Sequence, residues 1–247
     1  MSDLRIGLVC EGPTDFIIIE SILRAILRRP FILIKVHPRA GLTDGSAGQL
    51  GGGWKGVYRW CRQYASSELS ASLEQYDLVI IHIDADVAGF TYQSAEIDDW
   101  PNDDLPCEMP CPPALNSVNA LRSVVLGWLN LDAGTLPARW AFCTPSKCTE
   151  AWVVAAVYGP TNPDNIMANI ECNFDLISWL SAPARGRNIL IRRKIERVNG
   201  RSTTVYKKQR REYEKCAGQV TARWRDMVLP LSQAAAFEQD LLAATRT

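Results

Sequence analysis

Short apolar runs alternate with stretches of helical period up to about residue 160. Residues 4–10 are apolar and end at Glu11 and a Gly-Pro turn, the pattern of a strand followed by a helix start. Thr14 or Asp15 can cap that helix, which carries Phe16, Ile17, Ile19, Ile22, Leu23 and Ile26. The run 31–36 reads as a second strand, 40–53 as a flexible glycine-rich loop, and 54–68 as a helix bearing Trp54, Tyr58 and Trp60. Residues 77–84 form a nearly continuous apolar run of the kind buried on both faces of a parallel sheet. A long acidic segment, 87–114, follows; that length suits a functional or mobile connection. A helix at 116–129, a strand at 138–143 and a helix at 148–158 continue the alternation. This order predicts an α/β fold with a mostly parallel, Rossmann-like sheet flanked by helices.

Beyond residue 163 the pattern is read as mainly helical, with a basic helix near 205–227 and an amphipathic helix near 232–244. The expected organisation is a core at 1–160 and a mainly helical, basic C-terminal extension at 161–247 packed on it. No internal repeat or low-complexity tract stands out.

Composition adds little until it is divided along the chain. Hydrophobic residues are 47% and charged residues 22%, an ordinary globular balance, and the formal net charge is zero. The zero hides two opposite regions. Asp84, Asp86, Glu96, Asp98, Asp99, Asp103, Asp104 and Glu108 lie between 84 and 108 with no Lys or Arg among them. Between 185 and 225, fourteen Lys and Arg residues face only Glu196, Glu212 and Glu214. That excess creates a local positive field suited to phosphates, although charge runs are more often solvated faces. No apolar run reaches the ~20 residues that span a bilayer, and the N-terminus does not read as a signal peptide, so a cytoplasmic protein is expected. The scattered cysteines favour reduced thiols. Cys107 with Cys111 and Cys143 with Cys148 offer four sulfur ligands, but neither spacing is CxxC, which argues against structural zinc.

Candidate chemistry gathers at two strand ends. Glu11-Gly12-Pro13-Thr14-Asp15 follows the first strand, and Asp84-Ala85-Asp86-Val87-Ala88-Gly89 follows the strand ending near residue 84. Sites in open α/β sheets lie in the crevice at the carboxyl ends of the strands. Converging carboxylates there are costly unless a cation neutralises them, and hard oxygen ligands suit Mg²⁺ or Mn²⁺. Glu11 also suits a plain helix N-terminus, and His37 and His82 read as structural.

The two motifs in this order resemble the TOPRIM domain of topoisomerases, primases and OLD-family nucleases. Pro145-Ser146-Lys147-Cys148-Thr149-Glu150-Ala151-Trp152 is similar to a segment of small stand-alone TOPRIM proteins found among prokaryotic anti-phage genes. The resemblance implies that Glu11 is a metal ligand or acid/base residue, and that Asp84 and Asp86 hold Mg²⁺ or Mn²⁺ with Asp15 as a further ligand. Glu150 would be an additional acidic ligand, and Lys208 or Lys215 would stabilise phosphate charge in the transition state. The implied activity is metal-dependent cleavage of nucleic acid, DNA or RNA, in defence or repair. OLD-type nucleases carry an ATPase domain; this chain has no GxxxxGK[ST] loop, so a separate ATPase partner fits. Two other readings stay open. Asp84-Ala85-Asp86 also resembles the DxD of nucleotide-sugar glycosyltransferases, and the chain could be a non-catalytic nucleic-acid-binding partner.

Overall fold

The computed structural model describes residues 3–38, 50–65, 71–98, 104–131, 136–159, 170–172, 176–182, 190–198 and 201–246. Four strands, β1 (Leu4–Val9), β2 (Phe31–His37), β3 (Leu78–His82) and β4 (Trp140–Cys143), form one sheet in the order β2-β1-β3-β4. Every pairing in it is parallel. Among the described residues the flanking helices are α1 (Pro13–Ile26), α2 (Gly53–Tyr64), α3 (Leu115–Trp128), α4 (Glu150–Tyr158) and α5 (Leu176–Ser181). The chain ends with α6 (Arg210–Arg223), a wider π turn at Trp224–Val228, and α7 (Ser232–Ala244).

Side-chain alternation along the strands divides the interior in two. Leu4, Ile6, Leu8, Leu78 and Ile80 meet α1, α4, α6 and α7 on one face. Val9, Val79, Ile81, Ile83 and Phe142 meet α2 and α3 on the other. Helices on both faces explain why β3 is buried at every position and apolar from Leu78 to Ile81 rather than at alternate residues. Trp152, Trp224 and Phe237 interlock in the first layer, with Trp152 stacked on Phe237 at 6.2 Å. Each such buried side chain contributes about 2–3 kcal/mol of transfer free energy. The residues of α6 and α7 therefore belong to the same interior as β1.

Two regions differ from the sequence expectation. Residues 191–208 are not helical: β5 (Ile191–Val198) and β6 (Arg201–Lys208) pair as an antiparallel hairpin separate from the main sheet. The basic helix begins only at Arg210. The expectation followed the cations, whereas the strands follow the β-branched and aromatic side chains at 203–206. The cysteines are not all reduced: Cys111 and Cys172 form a disulfide, with Cα atoms 5.5 Å apart. Cys143 and Cys148 are buried thiols and Cys107 is exposed, so the four-sulfur zinc set is not assembled.

Most of the loop at 40–53, residues 66–68 of the expected helix, residues 99–103 of the acidic connection and the boundary at 160–161 lie outside the described residues. Among those described, no helix is long and apolar enough to cross a membrane.

Candidate metal centre

The chain leaves β1 toward β2 on one side, while β3 lies on the other, so the order of connection reverses between β1 and β3. The crevice at such a reversal opens at the strands' carboxyl ends. Val9 pairs with Ile81, which places Glu11, two residues on, beside Ile83 and Asp84. The contact follows: Glu11 Oε1 accepts the backbone N–H of Asp84 at 2.8 Å. The N–H of Gly53, a residue at φ +67°, donates to the Glu11 carbonyl at 2.9 Å.

Pro13 starts α1 after the N-cap Gly12, because a missing N–H costs nothing in a helix's first turn. That fixes Asp15 in the first turn, where the helix dipole favours its charge. Beyond β3 the backbone is held by the loop leading into α4. Ala85 N–H donates to the Pro145 carbonyl at 3.0 Å, and Asp86 N–H to the Lys147 carbonyl at 3.1 Å. The side chain of Asp84 is held by the same loop. Its Oδ1 accepts from Thr149 N–H at 3.1 Å and Thr149 Oγ1 at 3.2 Å, and lies 3.1 Å from His82 Nε2. Asp15, His82 and Asp84 are buried and offer ligand atoms within 4.8 Å of one another.

A second set adjoins this one. Glu150, fully buried at the start of α4, accepts the Tyr213 hydroxyl at 2.6 Å. Lys208, the last residue of β6, lies 2.8 Å from the same Glu150 oxygen and 3.5 Å from Asp15 Oδ1. Asp86 is exposed at the rim.

The electrostatics are those of a site with too much negative charge. Burial, then Asp84, Asp86 and Asp15, push Glu11 well above the usual carboxylate range. Burial raises Asp15, with Lys208 opposing. Desolvation, and then the Asp84 charge, push the Asp86 carboxyl up to about 8 although its side chain is open at the rim. Asp84 is the exception. Burial acts against its charge, but His82, Lys208 and Thr149 together hold it below the ordinary value. Burial likewise opposes charge on His82, and Asp84 outweighs it, raising the imidazole. Lys208 is held well above its ordinary value by Asp15, Glu150 and Asp84, despite burial.

The donor set fits a divalent cation on three observations. Glu11, Asp15, Asp84, Asp86 and Glu150 act on one another, with Lys208 the one cation bridging two of them. Asp15 Oδ1 and Glu150 Oε2 are buried without hydrogen-bond partners among the described residues. The oxygen-rich ligands are those of a hard cation.

The structure thus brings together Glu11, Asp15, Asp84, Asp86, Glu150 and Lys208. It does not bring in Lys215, whose side chain is 64% exposed and pairs with Glu212 at 2.6 Å on the surface of α6. Three members were not singled out from sequence. His82 was read as structural because a histidine inside an apolar strand usually is. Thr149 and Tyr213 carry single hydroxyls with no motif spacing to mark them. No protein-family model, curated protein or solved structure matches the chain.

Proposed function

We propose that this chain is a Mg²⁺- or Mn²⁺-dependent hydrolase of nucleic-acid phosphodiesters, of the TOPRIM type, acting in defence or repair. The observation that carries the reading is the gathering of Asp15, His82 and Asp84 at the β1/β3 switch point, with Glu11 bonded to the backbone N–H of Asp84. Glu11, Asp15, Asp84 and Asp86 would hold the ion. When bound, it supplies Lewis acidity to the phosphoryl group and lowers the pKa of the attacking water.

The protein's own groups do the rest. Thr149 and His82 fix Asp84 so that its carboxylate stays charged and oriented. Tyr213 fixes Glu150, which in turn holds Lys208. Lys208 keeps 34% of its side chain open to solvent, so its ammonium can meet a phosphate oxygen and stabilise charge developing there. Glu11, whose Oε1 accepts the Asp84 N–H, would serve as a ligand of the ion or as the base that takes the proton of the attacking water. A companion ATPase, if the protein works within a larger assembly, would supply energy coupling that this chain's sequence does not.

The test is cleavage of DNA and RNA, with and without Mg²⁺ or Mn²⁺. Wild type is expected to cut only with the ion, and Glu11→Gln and Asp84→Asn to lose at least about a hundredfold in rate. Titration calorimetry of Mn²⁺ binding separates a lost ligand from a lost base. Undiminished cleavage by both variants removes the site from the chemistry. Turnover of a nucleotide sugar without affinity for nucleic acid replaces the reading with that of a glycosyltransferase.

A further inference from the structure

The basic region divides into two populations once its partners are known. On α6 and the turn after it, most of the cations are engaged, Arg211 being without an ion pair among the described residues: Arg210 pairs with Glu214, Lys215 with Glu212 and Arg225 with Glu238. Arg223 donates to the Ala156 carbonyl at 3.0 Å. On the hairpin the balance is different. Lys194 pairs with Glu196, but among the described residues no acidic side chain forms an ion pair with Arg192, Arg193, Arg197 or Lys207. All four are exposed.

Their register is informative. Arg192 stands directly opposite Lys207, a cross-strand pairing of like charges that destabilises a hairpin unless an anion lies between them. On the other face Arg193 stands opposite Tyr206, which is 43% exposed, and Arg197 opposite Ser202. Ile195, 65% exposed, lies between the two arginines on that face. The ribbon is anchored at its base, where Leu190 and Ile191 are buried in the core with Leu176 and Leu180 of α5, whereas the cations and apolar side chains farther along it are exposed and open to a partner. The partner's charge is negative, and cations on both faces require it on both sides.

We propose that β5 and β6 form a ribbon that enters the major groove of B-form duplex DNA, with phosphates of the two strands flanking its two faces. The B-form major groove is about 12 Å wide and admits a two-stranded β-ribbon, whereas the deep, narrow A-form groove of duplex RNA does not. Eight residues per strand extend about 26 Å, enough to follow the groove for most of a helical turn. Arg192 and Lys207 meet phosphates on one wall of the groove and Arg193 and Arg197 on the other, with Ile195 and Tyr206 against the deoxyribose between them. Lys208 continues β6 directly into the acid cluster, so a duplex held by the ribbon lies next to that site. The inference rests on the nucleic-acid reading above, but not on the metal chemistry.

The experiment is fluorescence anisotropy in EDTA, where no cleavage occurs. It uses a labelled DNA duplex, an RNA duplex of the same sequence and the single DNA strand, each over a range of salt. Wild type is expected to bind the DNA duplex at least tenfold more tightly than the other two. The double variants Arg193→Ala/Arg197→Ala and Arg192→Ala/Lys207→Ala are each expected to weaken that binding at least tenfold. Each should also lower the slope of log affinity against log salt by about two. Far-UV circular dichroism and the thermal midpoint, unchanged in these surface variants, exclude misfolding. Equal affinity for the two duplexes, tighter binding of the single strand, or unweakened binding by both variants overturns the ribbon while leaving nucleic-acid hydrolysis standing. Wild type that binds the duplex through these residues yet never cuts it with Mn²⁺ upholds the ribbon and overturns the hydrolase. Wild type that binds no nucleic acid overturns both.

Discussion

Lys208 is the residue on which two carboxylates depend, because Glu150 and Asp15 are buried and no other Lys or Arg forms an ion pair with either among the described residues, although His82 also acts on Asp15. Removing one partner of such a group leaves uncompensated charge, at a cost that solvent at its exposed third reduces. Lys208→Met is therefore expected to lower the stability of the metal-free protein by about 1–3 kcal/mol. A divalent cation should offset more of that loss than it adds to wild type, since the variant offers it a more negative site. Thermal melts with EDTA and with Mn²⁺ measure both terms; equal Mn²⁺ shifts in the two proteins would show that Lys208 and the ion do not share a site. At this scale the sequence was informative where chemistry comes in motifs. Glu11, Asp15, Asp84, Asp86 and Glu150 stand at strand ends or helix starts, and local pattern finds such places. The choice between Lys208 and Lys215 was not available, because it depends on where a strand ends and a helix begins. Thr149 and Tyr213 were invisible for the same reason: their roles come from contacts 65 and 63 residues away in sequence.

Among the elements, the segment at 170–172 ties together parts that otherwise meet only through the core. Glu171 accepts the N–H groups of Ser232 and Gln233 at the start of α7, each at 2.9 Å, and its carbonyl accepts the Ser146 hydroxyl at 2.5 Å. The adjacent Cys172 is bonded to Cys111, in the stretch that leads into α3. The crosslink thus braces the loop carrying Thr149 from outside. With 61 residues between its ends, it should stabilise the fold by about 2–4 kcal/mol, or roughly 5–15 °C in melting temperature. Reductant is expected to lower the wild-type midpoint by that amount and to leave Cys172→Ser unchanged, both read by calorimetry. A wild-type midpoint indifferent to reductant would count against the bond. The hairpin is the element the sequence reading missed, although a signal was present. Asn199-Gly200 stands between two runs able to pair, and Asn-Gly is the strongest short hairpin signature. Cations spaced through 192–211 drew attention to a helical face instead. The central strands β1 and β3 were legible because burial on both faces leaves them apolar except at Arg5 and His82, and the outer strands because they are short β-rich runs.

For the whole molecule, the acid cluster sets an unusual dependence of stability on pH. Asp86, normally near 3.8, sits at about 8 in the fold, and Glu11, Asp15 and His82 are also raised. A group whose folded pKa lies above its unfolded value favours the fold while protonated, and that contribution disappears as pH rises through the folded value. For Asp86 the loss spans about pH 4 to 8, and His82 acts in the same direction above 6.5. Asp84 is lowered, so its contribution is complete above 3.8 and does not change in that range. His37 works the other way. Burial lowers it to about 4, so it costs stability only as pH falls from 6.5 toward 4. Between pH 6.5 and 8 the acid cluster is thus isolated, and the metal-free protein should lose several degrees of melting temperature. Asp86→Asn should flatten that slope by removing one titrating acid. Mn²⁺ should flatten or reverse it, because the ion binds the deprotonated carboxylates and competes better as protons leave. Melts in EDTA and in Mn²⁺ across this window decide the point: a metal-free midpoint that rises with pH would mean these carboxylates are not crowded together, and the cation would lose its reason to bind.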